Sequence, residues 1–214
     1  MKRRTSYAIA LLLAAFMQVS ARVPMREWFV AMPNAVLPLL TTNNKLDFID
    51  YYDAKMEAIA TNMLDGTSRM DTLTEDFISI QYTNSTKVEM KLLPMNDTTD
   101  IICMVTTAKA NVKDSRIAFF DAEWRAIDVT TCFDEPRPED FRTTEHSDSA
   151  QWAWDKMSTF FRTYHLSAEK TDLQCRITTL DHLSKEDRVE VAPYVRREPL
   201  TYRWINGTFV RNEQ

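Results

Sequence analysis

The sequence predicts an α+β fold in which N-terminal helices pack on an antiparallel β-sheet. Residues 77–128 consist of consecutive strand-like stretches, and an amphipathic helical pattern precedes them. A second set of strand-like stretches lies near the carboxyl end and closes on an Asn-Gly turn. Because the two strand-rich parts share a plan, the sequence also leaves open two similar β-rich halves.

The central segment predicts four strands. Residues 78–82 and 88–92 alternate apolar and polar side chains, which is typical of strands with one buried and one wet face. The short polar stretch 84–86 between them suits a hairpin. Residues 101–105 are apolar at every position, which indicates a strand covered on both faces. Together with the aromatic-rich stretch 117–124, these segments predict an antiparallel meander.

The first 21 residues have the features of a secretory signal peptide. Basic residues 2–4 precede the apolar run 8–17, and the small residues 19–21 form a signal peptidase site. The apolar run is shorter than the roughly 20 residues that a transmembrane helix needs. We therefore expect cleavage near Arg22, no transmembrane segment after it, and a periplasmic or extracellular location.

Charge and glycine content exclude several classes of function. The whole chain has 26 basic and 31 acidic residues and a net charge of -5. Residues 1–21 contain three of the basic residues and no acidic residue, so their removal leaves 23 basic and 31 acidic residues and a net charge of -8. An acidic chain without a basic run is not expected to bind nucleic acid or anionic lipid. Only Gly66 and Gly207 occur, so no glycine-rich phosphate loop can form and no cofactor is expected.

Two helices are predicted before the meander. Residues 25–40 space their apolar side chains three and four apart, but prolines interrupt the pattern, which predicts a broken helix. A second helix is predicted from a cap at Asn43 or Asn44 to about Met63. Its apolar positions form one stripe that should face a core: Leu46, Ile49, Tyr52, Met56, Ile59 and Met63.

An acidic row follows one flank of the second predicted helix. Asp47 and Asp50 lead this row, and Asp53 and Glu57 continue it. Carboxylates one turn apart can work as an acid/base pair or bind a hard cation, whereas a solvated helix edge is the ordinary alternative. Calcium-loop spacing is absent, so no metal site is predicted.

The chain is predicted to divide into four parts. A signal peptide (1–21) precedes the helices and meander (22–133), and residues 134–149, rich in Pro, Asp, Glu, Thr and Ser, form a linker or long loop. Residues 150–214 form a second β-rich part packed with the first. The elements predicted there are, in order, strands at 159–166 and 173–177, a helix capped by Ser184, and a hairpin around Asn206-Gly207.

Two tryptophans open the second part. On a strand, Trp152 and Trp154 would share a face and offer a sugar-stacking platform. On a helix they would point apart, and one would enter the core. The residues around them favour the helix, although the platform remains open.

Cysteines and histidines give no reactive constellation. Because there are three cysteines, at least one is unpaired. Cys103 and Cys175 are predicted either to be buried strand residues or to form one disulfide, and Cys132 is predicted to lie in a loop. No cysteines or histidines have metal-ligand spacing. For His165, on a predicted strand, we expect a hydrogen-bonded structural role.

Seven stretches match a known pattern: residues 31–41, 46–52, 89–94, 96–97, 101–105, 114–117 and 200–204. These stretches resemble a family of uncharacterised secreted proteins from Bacteroidales bacteria. This resemblance covers nearly the whole chain after the signal peptide and fits least well at 134–149. It implies a cell-envelope location and brings no catalytic residues.

Two hypotheses about function follow. The first is a non-enzymatic envelope module, structural or binding a peptide, glycan or partner protein through an exposed sheet face or edge. The alternative is a secreted glycosidase-like hydrolase that uses Asp47, Asp50 and a strand-borne residue. The candidate ligand-contact residues are Trp152, Trp154, Asp47 and Asp50.

Overall fold

Two antiparallel sheets and a set of short helices make up the protein. A computed structural model describes residues 22–143 and 147–212, so the predicted signal peptide lies outside the described residues. One sheet has seven strands and the other has four. In both sheets, strands that are consecutive in sequence lie side by side. The predicted mixed α+β class is confirmed.

The elements occur in the following order. The helices are α1 Met25–Ala31, α2 Thr42–Asp53, α3 Val129–Cys132, α4 Asp148–Asp155 and α5 Lys185–Val191. The larger sheet contains β1 Ala58–Thr61, β2 Thr67–Leu73, β3 Phe77–Thr83, β4 Thr86–Pro94, β5 Asp100–Lys109, β6 Lys113–Phe120 and β7 Ala126–Ile127. The smaller sheet contains β8 Arg162–Leu166, β9 Asp172–Ile177, β10 Leu200–Ile205 and β11 Thr208–Arg211. Short 3-10 helices are Pro138–Phe141, Thr179–His182 and Ala192–Tyr194.

The predicted meander corresponds to β3–β6 and is confirmed, although the sheet also includes β1, β2 and β7. Its strand β5 is buried on both faces, as its uninterrupted apolar run predicts. Ile102 and Met104 join an apolar cluster that also contains residues of α1 and α2. Ile101, Cys103 and Val105 join a second cluster, which contains residues of the smaller sheet.

Aromatic side chains fill the cluster shared by the two sheets. The ring of Phe133 lies 4.9 Å from that of Tyr202, with the two planes perpendicular. The ring of Trp204 lies 5.0 Å from that of Phe209 and 6.2 Å from that of Phe119 on β6. Such edge and offset contacts add to the burial of apolar area, so this cluster connects the two sheets firmly.

The predicted second helix is wrong in its length. It begins after a Thr41 cap, whose hydroxyl accepts the Asn44 amide in a capping box, and it ends at Asp53. Lys55 then takes a left-handed conformation, and residues 58–61 form β1. Pairing of β1 with β2 in a hairpin satisfies the backbone of this segment, and that pairing overrides the local helical spacing.

The predicted apolar stripe breaks up accordingly. Ile49 and Tyr52 pack against the first cluster, whereas the other predicted positions are exposed: Leu46, Met56, Ile59 and Met63. Lys45 and Phe48 are the buried residues of α2, and the Lys45 ammonium donates to the Met32 carbonyl.

The structure does not confirm two similar β-rich halves. The sheets differ in strand number, and Trp124, expected in a strand, lies in a turn with φ 60°. Of the predicted linker, the structure describes residues 134–143 and 147–149. Phe141 in this stretch is fully buried in the cluster shared by the sheets. The domain boundaries stay a prediction.

The predicted hairpin at the carboxyl end is confirmed and depends on glycine. Asn206 and Gly207 have φ of 50° and 86°, the left-handed pair that a tight hairpin turn requires. We expect Gly207→Ala to lower the free energy of unfolding by about 1 kcal/mol, because alanine is strained at this φ. Its Cβ would also lie 3.2 Å from the Met95 methyl carbon.

Urea unfolding of Gly207→Ala and Gly66→Ala measures this effect. Gly66 is not in a left-handed conformation, and a Cβ there would meet the Asn62 side chain at 3.3 Å. The Gly66 variant should lose less stability. An equal loss in the two variants would contradict the role of the left-handed turn.

Candidate functional site

The carboxylates predicted as an acid/base pair lie at the surface. Asp47 and Asp50 are exposed on α2. Neither side chain lines any of four cavities that the described residues form.

The predicted tryptophans lie on α4, and the helix separates them. Trp154 is 8% exposed, its indole N–H donates to the Tyr194 carbonyl at 3.3 Å, and the Arg142 guanidinium lies 4.9 Å from the ring centroid. Trp152 is 44% exposed, and the Lys156 ammonium lies 4.2 Å from its ring centroid. The two rings do not form a joint platform, and none of these contacts involves Asp47 or Asp50.

A cavity of about 770 Å³ lies between the Pro138–Phe141 turn, the segment after α5 and the end of β11. Its lining is mostly charged, and the basic members are Arg142, Arg196, Arg197 and Arg211. The acidic members are Glu139, Asp140 and Glu198, and the remaining residues are Thr143, Ala192, Pro193 and Val195.

A short antiparallel ladder positions the wall of this cavity. Arg142 and Val195 form an isolated bridge. The Arg196 amide donates to the Phe141 carbonyl at 2.7 Å, and the Thr143 amide donates to the Tyr194 carbonyl at 3.2 Å. Because Phe141 is fully buried, this ladder ties the charged wall to the apolar cluster below it.

Two of the four arginines in the lining contact another side chain. Arg211 forms an ion pair with Asp140 at 2.6 Å, and Asp140 also accepts the Arg137 amide at the start of its 3-10 helix. Arg142 lies on the Trp154 ring. Within residues 22–143 and 147–212, the guanidinium groups of Arg196 and Arg197 have no ion pair and no hydrogen bond. These two groups are available to a ligand.

Sequence reasoning missed this cavity because its arginines come from separate parts of the chain. The adjacent pair Arg196-Arg197, in a chain of net negative charge, was the only local signal. The approach of Arg142 and Arg211 to that pair depends on the packing of the second sheet.

A second polar group lies between the sheets, on β4. The alternation of β4 predicts that Glu89 and Lys91 face water, and this is wrong: they are 4% and 1% exposed. The smaller sheet covers this face. Glu89 accepts hydrogen bonds from the His165 imidazole at 2.9 Å, the Lys87 ammonium at 2.7 Å and the Leu166 amide at 3.0 Å.

Lys91 makes the second connection of this polar group. Its ammonium forms an ion pair with Asp76 at 2.9 Å and donates to the Ala168 carbonyl, in the β8–β9 turn, at 3.1 Å. Lys91 and Glu89 together therefore attach β8 and the turn after it to β4. The predicted strand position and hydrogen bond of His165 are confirmed, and its structural role stays a prediction.

The contact between Glu89 and His165 shifts the pKa of both groups. Burial alone would raise the pKa of Glu89, but the hydrogen bonds from His165, Lys87 and Leu166 outweigh it and hold the pKa below its usual range. The hydrogen bond to Glu89 raises the pKa of His165 above 6.5, against the opposing effect of desolvation. Both shifts favour the charged pair.

These shifts predict a pH dependence of stability. The contribution of protonated His165 is complete below pH 6.5 and is lost as pH rises through the raised pKa of the folded state. His165→Gln removes this loss, so its free energy of unfolding should fall less steeply above pH 6.5 than that of the wild type. Urea unfolding at a series of pH values measures the two slopes.

His182→Gln is the matched control, because His182 is exposed and has no carboxylate partner among the described residues. It should keep the wild-type slope. If the free energy of unfolding changed with pH equally in the wild type and in His165→Gln, the contact between His165 and Glu89 would contribute nothing to the pH dependence.

The three cysteines are buried free thiols: Cys103, Cys132 and Cys175. Burial raises the pKa of each thiol, to about 12 for Cys175. Because the thiolate is the reactive form, these side chains are chemically quiet in the folded protein. Cys103 and Cys175 lie in strands, as predicted.

The fold is α+β, with two antiparallel sheets and a cavity in which Arg196 and Arg197 have no ion pair among the described residues. Together these features define an α+β protein with a candidate site for an anionic group. The chain belongs to the family described as "Protein of unknown function (DUF3256)", whose profile matches residues 16–209. The predicted resemblance to a family of uncharacterised proteins is thereby confirmed.

A solved structure supports the same relationship. It is described as "Structure of a domain of an uncharacterized protein from Porphyromonas gingivalis W83" and has 30% sequence identity and a TM-score of 0.81. The match covers 91% of this chain and 100% of that one. No curated protein matches the chain.

No helix in residues 22–143 and 147–212 combines the length and apolar character that a membrane crossing requires. In the same part of the chain, no group of three or more His, Cys, Asp and Glu side chains is arranged to hold a metal ion.

Proposed function

We propose that this protein is an exported cell-envelope module that binds a ligand without catalysing a reaction. The signal-peptide pattern of residues 1–21 supports export. The observation that supports binding is the cavity of about 770 Å³, where the guanidinium groups of Arg196 and Arg197 have no partner among the described residues. The ligand classes that remain open at this level are a peptide, a glycan and a partner protein.

The chemistry of the cavity suits binding better than catalysis. Arginine stays protonated at every physiological pH, so it cannot exchange protons as a general acid or base. Its planar group presents several N–H donors in a fixed geometry, which suits recognition of carboxylate, sulfate or phosphate. Arg196 and Arg197, which line this cavity, can therefore hold an anion in place.

The hydrolase hypothesis receives no support from a specific contact. Asp47 and Asp50 are exposed on α2 and do not line the cavity that contains the arginines. Glycosidase carboxyl groups lie roughly 5 to 9.5 Å apart across a cleft that holds the sugar, whereas these two aspartates are exposed on one helix.

The test uses the chain from residue 22 to 214 on arrays of peptides and oligosaccharides, each with acidic and neutral members. We expect saturable retention of a subset, weakened by salt because exposed charges are screened. Retention of nothing at low ionic strength would overturn the proposal. Hydrolysis of any member, abolished by Asp47→Asn or Asp50→Asn, would establish the hydrolase instead.

A further inference from the structure

We infer that the cavity beside Arg196 and Arg197 binds a carboxylate of an acidic peptide. This inference rests on the proposed binding function and names its ligand class and contact residues. A carboxylate has two oxygens that accept parallel N–H donors from one guanidinium, which is the geometry that arginine recognises best. The remaining lining includes Pro193 and Val195, which offer apolar contact to a peptide chain.

The arginines divide into ligand contacts and support. Arg211 is held by Asp140 at 2.6 Å, and Arg142 is held against the ring of Trp154. Arg196 and Arg197 have no such partner in the described residues. The backbone bond from Arg196 to the buried Phe141 fixes the position from which its side chain extends. The site is therefore partly ordered before a ligand arrives, which lowers the entropy cost of binding.

The lining favours a peptide over a sugar. Among the described residues that line the cavity, none is aromatic, whereas an aromatic face is what a sugar ring would stack on. Trp154 lies next to the cavity, but the Arg142 guanidinium already covers its ring. The exposed Trp152 does not line the cavity, and the Lys156 ammonium lies over its ring.

The charge pattern limits which peptides can enter. The net charge is -8 once the predicted signal peptide is removed, so much of the surface repels an acidic peptide. Glu139 and Glu198 at the cavity wall oppose a second negative charge near them. The favoured ligand therefore presents its carboxylates toward Arg196 and Arg197 and neutral or basic groups toward the two glutamates.

The test measures, by NMR titration, the affinity of a short synthetic peptide in which two adjacent glutamates lie between neutral residues. Its matched probes are the same peptide with glutamines, a trisaccharide of galacturonate and a neutral trisaccharide. We expect Arg196→Gln/Arg197→Gln to weaken binding of the glutamate peptide at least about tenfold, because hydrogen bonds between charged groups are the stronger class. Arg176→Gln is the matched control, since Arg176 is exposed on β9 and does not line the cavity.

The outcomes of these measurements distinguish the peptide site from a glycan site and from the proposed binding function. Binding of the glutamate peptide, with loss in the double variant and an unchanged unfolding midpoint, supports the inference. Equal or tighter binding of galacturonate assigns the cavity to a glycan and overturns the peptide class. Array ligands that bind the double variant as well as the wild type overturn the site but leave the proposed function standing, whereas arrays without any ligand overturn both.

Discussion

Replacing Glu89 by alanine is expected to lower the free energy of unfolding by about 3 kcal/mol, because the carboxylate accepts several hydrogen bonds in a buried position. The substitution leaves the Leu166 amide without its acceptor inside the protein. It also removes the counter-charge of Lys87 and His165, both of which are partly exposed and can turn to water. The loss should therefore fall at the lower end of the range for broken buried ion pairs.

Urea unfolding followed by tryptophan fluorescence measures this change. Glu169→Ala is the matched control, since Glu169 is exposed in the β8–β9 turn and its side chain has no ion pair among the described residues. The control should stay within about 0.5 kcal/mol of the wild type. If the two variants were equally stable, β8 would not depend on Glu89 for its attachment.

Lys91→Ala is expected to cost a similar amount, about 3 kcal/mol, but for a different reason. Lys91 is 1% exposed, so its methylene stem is packed between the sheets and its removal leaves a cavity. Its partner Asp76 is about half exposed and regains water when the ammonium is lost. The packing of the stem, rather than the ion pair, should carry most of the effect.

Lys91→Met separates the two contributions. Methionine keeps most of the buried stem and loses the charge, so we expect a loss of only about 1 kcal/mol. Lys170→Ala, at an exposed position in the β8–β9 turn, is the control for a lost surface charge. A loss for Lys91→Met as large as that for Lys91→Ala would show that the contacts to Asp76 and Ala168 dominate.

These two residues bear on the candidate site through the smaller sheet. β4 attaches β8 through Glu89 and Lys91, and the cavity draws Arg211 from β11 of the same sheet. Variants that loosen β8 therefore need their unfolding midpoints recorded before any change in peptide affinity is assigned to the cavity.

Local sequence patterns found the parts of the fold whose neighbours along the chain decide their conformation. The two-residue alternation and the uninterrupted run at 101–105 located β3–β6. The Asn206-Gly207 pair located the last hairpin, and Ser184 located the start of α5 through its bond to the Asp187 amide. In each case a short-range property of the chain is strong enough to determine the local conformation by itself. The property is the strand pleat, the turn or the helix cap.

The candidate site was only partly accessible to the same reasoning. Trp154 was singled out from the sequence, and it lies under one arginine of the cavity wall. The arginines themselves were not, because Arg142, Arg196 and Arg211 become neighbours only when two loops and the end of β11 meet. Charged residues at such separations carry no periodic signal that would connect them.

The sequence by itself determined the α+β class, the meander, the negative charge and the last hairpin. Tertiary structure alone decided that residues 58–61 pair as β1 instead of continuing α2, and that the polar face of β4 is buried. A periodic pattern reports which side chains share a face, but not what covers that face. Here a second sheet covers it, and the ion pairs of Glu89 and Lys91 make that burial possible.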